Sequence, residues 1–336
     1  LARFDSSLDV LGASDSELLE AGVSSVALAD FQKIRRAQAL TDLRAVLSKD
    51  DFRIVTPTDT EYPPGFRDLY DPPQVLFVRG RLPLQKTPTV AIVGSRKITS
   101  YGQSAVNLLI PPLIEAGAVI ISGLAYGCDA AAHRSALISK GITLAILGSS
   151  ADRASIYPTA NRPLAEEILT ADGALITEFA PGAPIAKHNF PGRNRLIAAL
   201  AQVIVIIEAE TKSDLLITAS YGAELGREVF AVPGPITSPR SGGANWLIAR
   251  GAHPALAPED ILLALGIETP LKRKPSTLTA TDSFTDKILD SLSAPINTDE
   301  LALKLNTSPV GLLATLSTLE IEGVIARDGA YWTRTK

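Results

Sequence analysis

The chain has a single cysteine, Cys128, in 336 residues. That excludes an internal disulfide and suits a reducing cytoplasm, which is the expected location. Three histidines beside one cysteine are too few for a convincing zinc site. Methionine is absent altogether. No apolar run reaches the roughly 20 residues a membrane span needs, and nothing resembles a signal peptide, so no membrane partner is expected. An excess of positive charge is also missing. Lys and Arg number 32 against 36 Asp and Glu, a net charge of −4. This excludes a histone-like coat, so any nucleic acid must be held by a local patch.

What is present is enough apolar residue, 46%, to bury a large core in two or three domains. Residues 86–265 carry 14 basic and 14 acidic side chains, so their cations must be concentrated by folding if they matter. One stretch is already concentrated. Lys187 to Leu200, KHNFPGRNRLIAAL, holds Lys187, Arg193, Arg195 and His188 with no acid. Arg forks match phosphate oxygens, and Phe190 offers a flat face on which a base can stack. A surface loop whose arginines pair with acids elsewhere is the competing reading.

Residues 1–50 read as a small helical domain. Residues 14–48 read as helical in two runs, SDSELLEAG and then VALADFQKIRRAQALTDLRAVL; Ser14 with Glu17 has capping-box spacing, and Gly22 is a natural stop. Residues 52–84, rich in Pro, Tyr and Gly, predict two short strands at 52–55 and 75–79, leading into the main sheet. The central domain, 51–268, alternates apolar β-branched runs with helical segments. Strands are expected at 89–94, 118–123, 142–148, 174–179, 203–209 and 228–234, with helices at 101–116, 128–139, 193–201 and 218–226. That alternation predicts an α/β fold, a Rossmann-like doubly wound parallel sheet. Residues 269–283 have linker composition. Residues 284–336 predict three amphipathic helices and a hairpin turning at Asp328-Gly329, a winged-helix order. The third helix, 308–322, carries Glu320 and Glu322 and no Lys or Arg, so it is a poor reader of DNA.

Gly94-Ser95-Arg96 closes the first parallel strand. Backbone N–H groups, the Ser hydroxyl and the Arg fork together make a phosphate seat. No second glycine completes a G-x-G-x-x-G pattern, which disfavours a dinucleotide. Ser122 to Asp129 follows the second strand, its glycines free for close approach or positive φ. Asp129 reads as a cap, His133 as a structural partner of that loop, and Thr218 as the N-cap of a later helix. Asn245 could hold its loop or contact a ligand. All these loops follow strands and so share one sheet edge. They hold no carboxylate pair, Ser–His–Asp set or metal cluster. The site is built to hold an anion, with no evident means of transforming it.

The motifs VAIVGSR (90–96), SGLAYGCDAAAH (122–133), KHNFPGRNRLIAAL (187–200), GREVFAVPG (226–234) and GGANWLIARGA (242–252) resemble the DprA/Smf family, the DNA-processing proteins of bacterial natural transformation. The resemblance covers about 52–265. It implies a non-catalytic binder of single-stranded DNA that hands the strand to the recombinase RecA, forms a homodimer through its Rossmann-like core and needs no cofactor. Carried over by motif, the DNA site comprises Gly94, Ser95, Arg96, Lys187, Asn189, Phe190, Arg193 and Arg195. Two positions depart from the family pattern. Ser213-Asp214-Leu215 stands where members read S-G-S, and Ala244 precedes Asn245. The alternative is a nucleotide-processing enzyme of the phosphoribohydrolase type on a related core. Its P-G-G-x-G-T loop is not matched by Pro233-Gly234-Pro235. An NAD enzyme is disfavoured by the missing glycine fingerprint.

Overall fold

A computed structural model of the chain describes residues 4, 7–35, 45, 47, 48, 50–83, 86–211, 213–267, 283–292, 294–321, 324–328 and 331–334. It divides into two compact units, Leu1–Glu268 and Thr269–Lys336.

Among the described residues the first unit opens with α1 (Ser7–Gly12), α2 (Asp15–Glu20) and α3 (Ser25–Ile34), and Ala45, Leu47 and Ser48 are helical as well. Ser14 and Glu17 form the expected capping box on α2, and Gly22 stops the chain at φ +90°. Residues 36–44 and 46 of the expected 14–48 run lie outside the described residues.

A nine-stranded sheet follows, in the order β1-β2-β6-β5-β4-β3-β7-β8-β9. The strands are β1 (Arg53–Val55), β2 (Leu76–Gly80), β3 (Thr89–Val93), β4 (Val119–Ser122), β5 (Thr143–Ile146), β6 (Ala174–Thr177), β7 (Val203–Ile206), β8 (Glu228–Ala231) and β9 (His253–Pro254). Strands β3 to β9 are parallel throughout, while β1 and β2 add an antiparallel edge against β6. The sheet is therefore mostly parallel. The six inner runs were legible as strands because they are apolar on both faces. In β3, Ala91 and Val93 belong to one core cluster, while Val90 and Ile92 belong to another. Each fully buried side chain of this size contributes roughly 1.5–3 kcal/mol.

Helices cover both faces. α4 (Ser100–Glu115) and α5 (Cys128–Ile138) pack on the Val90–Ile92 side, and α10 (Pro258–Ala264) joins them. α7 (Asn189–Leu200), α8 (Leu215–Glu224) and α9 (Gly242–Ile248) cover the other. α6 (Arg162–Thr170), the crossover between β5 and β6, buries Leu164, Ala165 and Ile168. Two helix starts differ from expectation. α7 begins at Asn189, four residues before 193, because Pro191 falls in the first turn, where its missing N–H has no helical acceptor to serve. α8 begins at Leu215 with Asp214 at the cap, so Thr218 is not an N-cap but a buried second-turn residue.

The second unit contains α11 (Ser283–Ser291), β10 (Ile296–Asn297), α12 (Thr298–Lys304), α13 (Pro309–Ile321), β11 (Ile325–Asp328) and β12 (Tyr331–Arg334). The strands form an antiparallel sheet, β10-β12-β11, and Trp332, Leu312, Leu316 and Ile288 fill its core. This order is consistent with a winged helix.

Candidate nucleic-acid interface

Because β3 to β8 run in parallel, the loops that follow them all emerge at one edge. β3 pairs with β4 on one side and with β7 on the other, so the chain reverses its winding direction between β3 and β7. Ligands of open α/β sheets bind in the crevice at such a switch point. A cavity of about 370 Å³ opens there. Gly94, Ser95, Arg96 and Lys97 line it from the loop after β3, and Phe190, Arg193 and Asn194 from the start of α7.

The loops are held by buried polar groups. Glu208, after β7, accepts hydrogen bonds from the Thr99 N–H at 2.9 Å and the Thr99 hydroxyl at 2.5 Å, and Ser95 N–H donates to the Glu208 carbonyl at 2.8 Å. Gly127 sits at φ +71°, and a Cβ there would strike the backbone of Ser95 and Arg96. The loop after β4 can lie against the Ser95-Arg96 backbone only because position 127 has no side chain. Asp129 accepts from the N–H groups of Gly123 at 3.1 Å and Ala125 at 3.3 Å, so it closes the loop from inside the helix rather than from the N-cap.

Arg193 threads under this loop. It is 6% exposed, donates to the Ile146 carbonyl and passes the bare Cα of Gly123. Burial lowers its pKa to about 10, with Asp129 opposing and Arg96 adding to the shift. Its charge therefore persists at neutral pH. Asp129 is shifted upward by burial, against the pull of Arg193. His133 hydrogen-bonds Thr143 Oγ1 at 2.7 Å through Nδ1. The Thr143 hydroxyl already donates to the Ile120 carbonyl, so Nδ1 carries the proton and donates, leaving Nε2 bare and unpartnered. Burial first, then Arg193 and Arg134, lower the pKa of His133 to about 3. Asp129 and His133 are thus both engaged internally.

Of the eight residues expected in the site, Gly94, Ser95, Arg96, Phe190 and Arg193 line the cavity. Lys187 stands exposed in the loop before α7, on the same edge but outside the lining. Asn189 is buried as the first residue of α7. Arg195 is set apart. One helical step from Asn194 turns it away, and it pairs with Glu178 at 2.7 Å. Among the described residues neither Arg96, Lys97 nor Lys187 makes an ion pair. Phe190 lies over Gly148 at the end of β5, with its ring 5.5 Å from that of Tyr157.

Lys97 and Arg240 were not anticipated. Arg240 reaches from the turn after β8 to bond Ser95 Oγ at 3.3 Å and the Lys97 carbonyl. Lys97 is adjacent to Arg96 and could have been read with it, whereas nothing local marks Arg240, 145 residues from Ser95. Asn245 holds its loop, pairing both amide atoms with the backbone of Gly234 at 3.1 and 2.9 Å. Among the described residues no group of three His, Cys, Asp or Glu converges to hold a metal ion, and no helix is long and apolar enough to cross a membrane.

Fold and site together define an α/β protein with a crevice at the sheet's switch point, lined by Arg96, Lys97, Arg193 and Arg240. Residues 53–266 match the model of the family described as DNA recombination-mediator protein A, and the chain belongs to that family. It is 42% identical over 207 residues to Protein Smf of Escherichia coli, a match covering 61% of this chain and 55%, about half, of that protein. Its fold matches the X-ray structure of DNA processing protein A from Streptococcus pneumoniae with a TM-score of 0.61 and 35% identity, over 76% of this chain and 95% of that one. It also matches the Helicobacter pylori protein, described for its single-stranded DNA binding mode, with a TM-score of 0.57 and 32% identity, over 64% and 97% of the two chains.

Proposed function

We propose that the chain is a DNA-processing protein that binds single-stranded DNA along the carboxyl edge of its sheet and loads a RecA-type recombinase onto the strand during natural transformation. The observation that carries this reading is the switch-point crevice. In it the unpaired Arg96 and Lys97, the buried charge of Arg193 and the face of Phe190 converge. Cations supply sequence-independent grip on phosphates, and an aromatic face accepts any base. The matched H. pylori protein, with its single-stranded DNA binding mode, supports the same reading.

The role is non-catalytic. Supporting this, the buried Asp129 and His133 both bond within the fold. A homodimer through the α/β unit, in the cytoplasm, belongs to the same proposal. In its support, the large apolar side chains Ile236, Trp246 and Leu256 stand exposed in and around α9 and β9.

Gel shifts with oligo-dT test the core of the proposal. Arg96→Ala and Lys187→Ala each lower affinity by about tenfold while leaving the fold intact. Unchanged binding by both variants would refute the placement of the site.

A further inference from the structure

The loop after β3, residues 94–99, carries the exposed cations Arg96 and Lys97. Its two ends are pinned to the fold. Ser95 N–H donates to the Glu208 carbonyl at 2.8 Å, and the Ser95 carbonyl accepts from Cys128 N–H at 3.0 Å. Thr99 bonds the Glu208 carboxylate and caps α4. Between these ends, the backbone of Arg96, Lys97 and Ile98 has one hydrogen bond to another segment among the described residues. It runs from Arg240 Nη1 to the Lys97 carbonyl. The same nitrogen donates to Ser95 Oγ at 3.3 Å, and Ser95 Oγ also accepts from Lys97 N–H at 3.1 Å.

Nη1 carries two hydrogens, one for each acceptor. The backbone of Arg240 is fixed as well, since its carbonyl accepts from Ala209 N–H at 2.8 Å, one residue after Glu208. The end of β7 is thus a common post for the β3 loop and for the turn that bears Arg240, and the guanidinium closes the third side. Stability alone does not account for an arginine here. Its charge lies beside two unpaired cations, and among the described residues it makes no ion pair, so it adds repulsion to the fold. What it supplies is a loop fixed in advance. Cations on such a loop meet an anion without an ordering cost at the moment of binding.

We propose that Arg240 is a positioning residue. It latches the backbone of residues 95–97, so that Arg96 and Lys97 are in place before a strand arrives, and it acts through them. The inference rests on the reading of this edge as a single-stranded DNA site, but its first readout needs no DNA.

That readout is hydrogen exchange of the full chain, wild type against Arg240→Ala, with circular dichroism as the check on folding. Exchange over residues 95–98 rises about tenfold in the variant while β3 keeps its protection. Unchanged exchange over 95–98 overturns the latch. A rise that spreads through β3 and β7 makes Arg240 a general support of the fold and overturns the local role. Oligo-dT affinity is then measured by fluorescence anisotropy at low salt for wild type, Arg240→Ala, Arg96→Ala/Lys97→Ala and the triple variant. Arg240→Ala lowers affinity about fivefold in the wild type, and by no more than about twofold where Arg96 and Lys97 are already gone, because nothing is left to position. An equal loss in both backgrounds means that Arg240 grips the strand itself and overturns the positioning role, as does no loss in the wild type. If Arg96→Ala/Lys97→Ala binds as tightly as wild type, the reading of the edge fails instead, and the exchange result still decides the latch.

Discussion

Three arginines of one cationic rim have three different fates. Arg96 is exposed and unpaired, Arg193 is buried beneath a loop and Arg195 is paired with Glu178. Their replacement by Ala should therefore separate. Arg195→Ala leaves oligonucleotide affinity within about twofold, because the charge it removes was already neutralised. Arg193→Ala strips the nearest cation from buried Asp129 and costs about 3 kcal/mol of stability, read by urea unfolding. His133 supplies a pH signature. Its folded pKa of about 3 lies below the unfolded value of 6.5, so the unfolded chain binds a proton that the folded one refuses. The stability His133 provides is complete above pH 6.5 and is lost as the pH falls from there toward 3, at no more than about 1.4 kcal/mol per unit. Asp129, shifted upward, acts in the opposite sense above its unfolded pKa of 3.8, but it is common to wild type and variant. Urea unfolding of wild type and His133→Gln between about pH 4.5 and about 7 isolates the imidazole. The wild type loses stability more steeply on acidification, and parallel curves would mean that the ring is not held neutral.

At the scale of elements, the strands were legible because a parallel sheet covered on both faces needs continuous apolar runs, and Val90 to Val93 or Val203 to Ile206 have no other use. Their helices were less so. The helix expected from 193 includes Pro191 and Gly192 in α7, because a helix tolerates proline in its first turn. α6 escaped notice because its nine residues bury only a narrow stripe. The site was legible where its signal was local, as in Gly94-Ser95-Arg96 and Phe190. It was not where distant segments meet, as with Arg240 and Ser95, or where one helical step decides direction, as between Asn194 and Arg195. The role of Gly127 also appears only in three dimensions. Gly127→Ala puts a methyl group into the backbone of Ser95 and Arg96 at a left-handed φ, and should cost about 2 kcal/mol or more, read as a lowered midpoint in thermal unfolding. An unchanged midpoint would mean that the two loops do not pack as described.

At the scale of the molecule, a chain with net charge −4 gathers its useful cations by topology rather than by composition. Parallel strands send six loops to one edge, and the reversal between β3 and β7 opens a crevice among them. The direct test is the salt dependence of binding to single- and double-stranded oligonucleotides by wild type and Arg96→Ala. The account predicts that wild type prefers the single strand, with affinity falling steeply as salt rises, and that Arg96→Ala has a slope shallower by about 0.7, the share of one phosphate contact. Identical slopes and affinities for the two proteins, or a wild-type preference for duplex, would contradict it.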